Sequence, residues 1–198
     1  MTKRLIVVLL SLLLLACAST PPKNQDNLCS IFYEKDDWYG ATLAAQKKWG
    51  TPIAVQMAII HQESRFQSNV RPPRDWFLGF VPLPRSSSAY GYGQAQDSTW
   101  DWYMKSTDSD GADRDDFADV ADFIGWYTTK TQKILKISKK DAFRQYIAYH
   151  EGWGNYKNYK SNNKIILLAK KVEKQSSKYK NQLSDCQRTL STNKYIIF

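Results

Sequence analysis

The feature that most constrains this chain is that it has only one long apolar run, and that run lies at the N-terminus. Lys3 and Arg4 precede it, and Leu5 to Ala16 is apolar apart from Ser11. The run is shorter than the about 20 residues that a spanning helix needs. A positive start followed by a short apolar stretch reads as a secretory signal peptide, residues 1–16, which takes no part in the fold. The remainder has no second such run, so a polytopic membrane protein is excluded, and the chain must fold around a core of its own. It has the material to do so. The full length of 198 residues suits one domain, and 42% of residues are hydrophobic and 14% aromatic, too much for a disordered chain. Nine Gly and seven Pro exclude collagen-like or Pro/Gly-rich low-complexity sequence.

The run closes on Leu14-Leu15-Ala16-Cys17. This resembles the bacterial lipobox, in which the Cys becomes the first residue of the mature chain and carries lipid. The alternative is an ordinary signal peptide with a Cys by chance. Ala18 and Ser19 follow, not the Asp that by resemblance favours retention in the inner membrane, so the implied location is the periplasmic face of the outer membrane. With Cys17 acylated, Cys29 and Cys186 are left as a pair. In an oxidising compartment a disulfide between them is expected, two free thiols being the alternative. Two His and no paired Cys motif argue against a metal site, and no cofactor is expected. Lys and Arg number 28 against 19 Asp and Glu, a formal charge of +9. An exported lipoprotein does not meet nucleic acid, so an anionic membrane or polymer, or merely a Lys-rich solvated surface, accounts for the excess.

Residues 17–30 are polar with Pro21 and Pro22 and read as a tether. Beyond them the pattern is helical. Asp36 is a candidate cap for a helix to Trp49, with Gly50 as its stop. Thr51 is the expected cap of the next helix, with Pro52 in its first position; Ile53, Met57 and Ile60 form its apolar stripe, and it runs out near Glu63-Ser64. Phe66 to Ala89 is long and irregular, with four Pro and with Trp76, Phe77 and Phe80; loops of that length in a compact domain are functional or disordered. Asp97-Ser98-Thr99 opens another helix. Asp113 to Asp116 precedes one carrying Phe117, Val120, Ala121, Ile124 and Tyr127. Ser138 with Asp141 resembles a capping box before Ala142 to Tyr149. A Lys-rich helix over Asn163 to Gln182 closes the pattern, with Ile165, Leu168, Ala169 and Val172 on one side. Strand character is confined to Phe77–Val81 and Tyr195–Phe198. The expected fold is mainly α.

Three segments hold candidate chemistry. In His61-Gln62-Glu63-Ser64-Arg65-Phe66, Glu63 ends an otherwise apolar helix. Burial and the negative end of the helix dipole both disfavour its charged form. A carboxylic acid kept protonated near neutral pH is what protonation of a glycosidic oxygen requires. The competing reading is a surface Glu paired with Arg65. In Ala89-Tyr90-Gly91-Tyr92-Gly93-Gln94, two glycines permit close backbone approach and Gln94 offers an amide. In Ala148 to Tyr156, a helix end presents Tyr149, His150 and Trp153 around Gly152 and Gly154; the plain reading is a helix terminus with core aromatics.

Together and in this order, the three segments resemble the lytic transglycosylases with the soluble-transglycosylase-type domain, relatives of goose-type lysozyme. Their E-S pair matches Glu63-Ser64. Gly91 and Gln94 match the ends of their G-L-M-Q, with Ser98 and Thr99 fitting the S-T that follows. Ala148, Tyr149 and Gly152 match A-Y-N-A-G, continued by Gly154-Asn155. The likeness covers about residues 36–160. It implies a lysozyme-like single catalytic domain with a long loop insertion over residues 31–160, and a C-terminal helix and tail over 161–198 tied back by the disulfide. It implies cleavage of the MurNAc-β-1,4-GlcNAc bond of peptidoglycan with formation of 1,6-anhydro-MurNAc ends. Glu63 is the implied catalytic residue, Tyr149 its support or that of the substrate acetamido group, and Ser64, Gln94 and His150 contacts to sugar. Tyr90, Trp153 and Trp76 are candidates to stack on sugar rings or to pack in the core. Tyr92 and Gly93 depart from Leu and Met, and His150 and Glu151 from Asn and Ala; Glu151 adds a carboxylate near the site. A water-using muramidase and a non-catalytic peptidoglycan-binding lipoprotein are the competing readings, followed by a basic adaptor that meets the membrane through the lysines of residues 157–180.

Overall fold

The structure is a computed structural model that describes residues 20–193. The expected signal peptide, the expected lipidation site Cys17 and the strand expected at Tyr195–Phe198 lie outside them. Seven helices and one short hairpin are described: α1 (Leu28–Glu34), α2 (Asp36–Trp49), α3 (Ile53–Ser64), β1 (Trp76–Phe77), β2 (Val81–Pro82), α4 (Asp97–Thr107), α5 (Phe117–Leu135), α6 (Ala142–Asn155) and α7 (Asn163–Asn193), with a 3₁₀ segment Tyr156–Ser161 before the last. The fold is mainly α, as expected.

The centre is α3. The sequence suggested one apolar stripe, but every residue from Ile53 to His61 is buried. A helix apolar on all sides is a core helix, and α3 is packed by α2, α5 and α7. Its polar Gln56 donates from Nε2 to the carbonyls of Thr51 (2.8 Å) and Thr42 (3.2 Å), while its buried Oε1 has no partner among the described residues. Thr51 does not cap this helix. It is buried and its hydroxyl pairs with that of Thr128 at 2.5 Å, while Pro52 takes the cap position. Asp36 likewise lies inside α2, whose cap residue is Lys35. At α6 the cap is Asp141, which accepts from Arg144 N; Ser138 instead accepts from Lys140 N, because the chain turns once more before the helix starts. Asp116 caps α5 by accepting from the amides of Ala118 and Asp119.

Two close approaches fix the layers. Gly125 on α5 faces Trp49 of α2; a Cβ there would lie 2.4 Å from the indole. Trp49 Nε1 and Tyr103 both donate to Asp122, at 2.8 and 2.9 Å, which ties α2, α4 and α5 to one carboxylate. Below them Trp38 and Phe117 stack at 3.8 Å, with the Tyr92 ring edge-on to both. Tyr92, which departs from the family's Leu, is therefore a core residue.

Helix α7 runs beyond the expected Gln182 and returns to the N-terminal segment. The Cys29–Cys186 disulfide is formed, spanning 157 residues with Cα atoms 6.0 Å apart. Leu28 N donates to Gln182 Oε1 (2.9 Å), Gln182 Nε2 to Asp26 O (3.1 Å), and the Tyr179 hydroxyl to Gln25 O. Pro22 is buried and α1 contributes Leu28, Ile31 and Phe32 to the core, so the last residues of the expected tether pack on the domain.

Gly91 is where a substitution should show most plainly. Its φ is +77°, and a Cβ would fall 1.9 Å from the Arg114 carbonyl oxygen, which Tyr92 N needs as its acceptor. Gly91→Ala is expected to cost about 2 kcal/mol or more, read as a fall in Tm of roughly 5 °C; an unchanged melting curve would show that the turn has another conformation.

Candidate active site

Helix α3 ends one residue after Glu63. Arg65 (φ 53°) and Phe66 (φ 59°) are both left-handed, and Arg65 N closes the last turn on His61 O at 3.2 Å. Phe66 is fully buried and seals the turn. Arg65 does not pair with Glu63: its Nη1 donates to His61 Nε2 at 2.7 Å. That bond needs a neutral imidazole, and burial together with the Arg65 charge lowers His61 to about 4. Among the described residues no cation pairs with the carboxyl of Glu63.

Glu63 opens into a cavity of about 440 Å³, lined among others by Gln94, Thr99, Phe123, Tyr127, Tyr149 and His150. Its Oε1 is buried, and among the described residues nothing donates to it. Desolvation dominates its titration and pushes the carboxyl up from 4.5 to about 7; the Tyr146 hydroxyl favours the charged form and pulls the other way. At neutral pH a large fraction of the group is therefore a neutral acid. A larger cavity of about 670 Å³, between Gln46 and Lys180, has two carboxylates in its lining, Asp141, which pairs with Arg144 and caps α6, and the exposed Glu173; neither is a buried acid like Glu63.

The other expected site residues separate into three groups. Gln94, Tyr149 and His150 line the cavity with Glu63. Gln94 (φ 50°) donates both amide hydrogens to backbone, at Val70 O (3.0 Å) and Gly91 O (2.8 Å); its fixed Oε1 remains as the acceptor. The Tyr149 hydroxyl is committed to the carbonyl of Gly93, where a Cβ would lie 2.9 Å from it. Tyr149 thus clamps the Gly91–Gln94 turn onto α6, and it is Tyr146 that acts on the acid directly. His150 sits at the rim with Nδ1 3.0 Å from Glu151 Oε1, and Glu151 also lines the cavity.

Ser64 and Trp153 do not line this cavity. Ser64 is buried and its Oγ donates to Ile60 O at 3.3 Å, within its own helix. Trp153 donates from Nε1 to Thr131 Oγ1 (2.8 Å) and stacks on Tyr127 at 4.6 Å, so it supports a wall residue from behind. Tyr90 lines a neighbouring pocket, and Trp76 stands exposed on the hairpin.

Tyr127, Phe123 and Tyr146 are the residues that sequence reasoning passed over. Phe123 and Tyr127 are one helical turn apart on α5, a spacing that reads equally as core. Burial raises the Tyr127 hydroxyl well above its ordinary range, and burial with Glu63 does the same at Tyr146 and Tyr149, so all three stay neutral donors. Among the described residues no group of three or more His, Cys, Asp or Glu is placed to hold a metal ion.

This arrangement can deliver a proton to a bound oxygen and take one back. No curated protein matches the chain. Its sequence matches the transglycosylase SLT domain over residues 5–186, which includes all three motifs, and the helical fold around a buried glutamic acid agrees; the chain belongs to that family of glycan-cleaving, lysozyme-like enzymes.

Proposed function

We propose that the protein is a peptidoglycan lytic transglycosylase that cleaves the MurNAc-β-1,4-GlcNAc bond and leaves a 1,6-anhydro-MurNAc end. The single observation that carries this is Glu63, a desolvated carboxylic acid that pairs with no cation among the described residues and opens into a cleft with polar walls. Protonated Glu63 gives its proton to the glycosidic oxygen, and the C1–O bond breaks as the GlcNAc hydroxyl leaves. Glu63, now a carboxylate, takes the proton of the muramoyl 6-hydroxyl as that oxygen bonds to C1. The acid is regenerated and no water is consumed. The substrate N-acetyl group supplies the stabilisation of the positive centre that a second carboxylate supplies in many glycosidases.

The deciding experiment is mass spectrometry of digested sacculi. Anhydro products lack one water relative to hydrolytic ones, and products carrying that water would make the protein a muramidase. Glu151 is the observation that keeps the hydrolytic reading in view, since it brings a second carboxylate to the cleft. Under the transglycosylase reading Glu151→Gln retains activity within about tenfold; loss comparable to removal of a general base, about 10²-fold or more, would favour water activation.

The first step needs the protonated acid, so kcat/KM is expected to fall above about pH 7, following Glu63. The Tyr146 hydroxyl favours the ionised form. Tyr146→Phe is therefore expected to move this alkaline limb to higher pH, measured in a pH–rate profile; a limb that stays in place or moves down removes Tyr146 from the role.

We further propose that Cys17 is lipidated and holds the enzyme at the periplasmic face of the outer membrane. The step from Cys17 to the buried Pro22 reaches at most about 18 Å, which would keep the domain close to the bilayer. Cys17→Ser should shift the protein from the membrane to the soluble fraction.

A further inference from the structure

The segment between α3 and α4 holds a second pocket, of about 420 Å³, lined by Arg71, Arg74, Arg85 and Arg114 together with Ser87, Ser88, Tyr90 and Asp97. Ala89 lines both this pocket and the Glu63 cleft, so the two adjoin. Four guanidinium groups face one carboxylate. Arg114 is occupied: it pairs with Asp97 at 2.7 Å and donates to the carbonyls of Ser88 and Ala95 at 3.0 and 2.9 Å. Asp115, outside the lining, accepts from the Tyr90 hydroxyl at 2.8 Å. Arg71 lies 4.3 Å over the Tyr90 ring, and Arg85 donates to Pro72 O. Among the described residues, none of Arg71, Arg74 and Arg85 makes an ion pair. Three like charges gathered around a concavity repel one another unless an anion joins them, and a guanidinium fork matches a carboxylate in two bonds.

We propose that this arginine pocket is a carboxylate-binding subsite that takes the peptide stem carried by MurNAc, so that the enzyme prefers peptide-bearing glycan to bare glycan. The inference rests on the transglycosylase reading for its substrate. The stem leaves the glycan from the lactyl group of MurNAc and carries several carboxylates. A glycan strand in the Glu63 cleft would present such a stem to its margin, where Ala89 leads into the arginines. Tyr90 belongs to this pocket: its ring is held between Arg71 and Arg114, the latter 5.6 Å away, and it sets their spacing.

The test uses the full-length chain in detergent with Glu63→Gln, which binds without cutting. Its affinity is measured for intact sacculi and for sacculi stripped of stems by an amidase. Tighter binding to the intact material is expected, as is displacement from it by free stem peptide. Arg74→Gln with Arg85→Gln should weaken binding to intact sacculi roughly tenfold and leave binding to stripped sacculi unchanged. Lys171→Gln with Lys174→Gln, an equal loss of charge on α7, should have little effect. Arg74→Lys should restore only part of the loss, because it keeps the charge without the fork. Equal binding to both materials, no displacement by free stem, or an arginine effect matched by the lysine pair overturns the proposal. So does an arginine effect seen only on vesicles containing phosphatidylglycerol, which would assign the pocket to a lipid phosphate. Product analysis of stripped glycan by the unsubstituted enzyme tests the transglycosylase reading separately.

Discussion

Glu63→Gln is expected to abolish glycan cleavage and, at the same time, to flatten the dependence of stability on pH. The activity loss should reach about 10²- to 10⁴-fold, the range for removal of a general acid–base, since a glutamine can neither give nor recover the proton. The stability effect follows from the same desolvation. In the unfolded chain the carboxyl titrates near 4.5, and in the folded protein it holds its proton up to about 7. Below pH 4.5 both states are protonated and the group favours neither. As the pH rises through this window the unfolded state ionises first, and the folded state loses stability relative to it until both are ionised. The loss amounts to about 3 kcal/mol at most. Glutamine does not titrate. The difference in Tm between the variant and the original protein should therefore move in favour of the variant by roughly 10 °C between pH 4 and pH 8. Parallel melting curves across that range would mean that Glu63 is hydrated and titrates normally, and the proton donor would have to be sought elsewhere.

Replacing both Cys29 and Cys186 by Ala is expected to have the largest effect on stability alone. The bond closes a loop of 157 residues, for which the chain-entropy estimate is about 5 kcal/mol. The loss would be felt where α1 meets α7, which are also joined by the Leu28, Gln182 and Tyr179 hydrogen bonds, by shared core packing and by the Lys178–Asp26 pair at 3.2 Å. The exposed ion pair adds little. The Tm should fall by about 10 °C or more, and a reductant should lower the original protein to the same level while leaving the double variant unaffected. Since neither Cys lines the Glu63 cleft, glycan cleavage below the new transition should persist. A double variant that melts with the original would show that α7 is held by packing alone.

The same comparison separates what is local from what is not. Helix positions followed from periodicity, and α5 starts at its predicted acidic cluster because Asp116 satisfies the first amides from its own side chain. Caps that require the preceding turn to point one way were less legible: Thr51 carries the right hydroxyl, but in the folded protein Thr128 takes it. The hairpin showed in the sequence as strand character over Phe77–Val81, and the structure divides it into Trp76–Phe77 and Val81–Pro82 around a turn. In the structure Trp76, Phe77, Leu78 and Phe80 stay exposed, and Tyr90 turns toward arginines that sequence reading had not grouped.

By sequence alone the chain declared its helical class and its cysteine pair, and it pointed to Glu63 as the candidate acid. Those properties are carried by neighbouring residues or by residue type, and spacing along one element suffices to express them. Tertiary structure decided that Arg65 pairs with His61 and not with the acid, that Tyr146 rather than Tyr149 acts on it, that Ser64 turns inward, and that four arginines share a pocket. Each of these depends on which side chain an incoming helix or loop presents. Solvation and charge at a site are set by all elements packed around it, and no single stretch of sequence contains that sum.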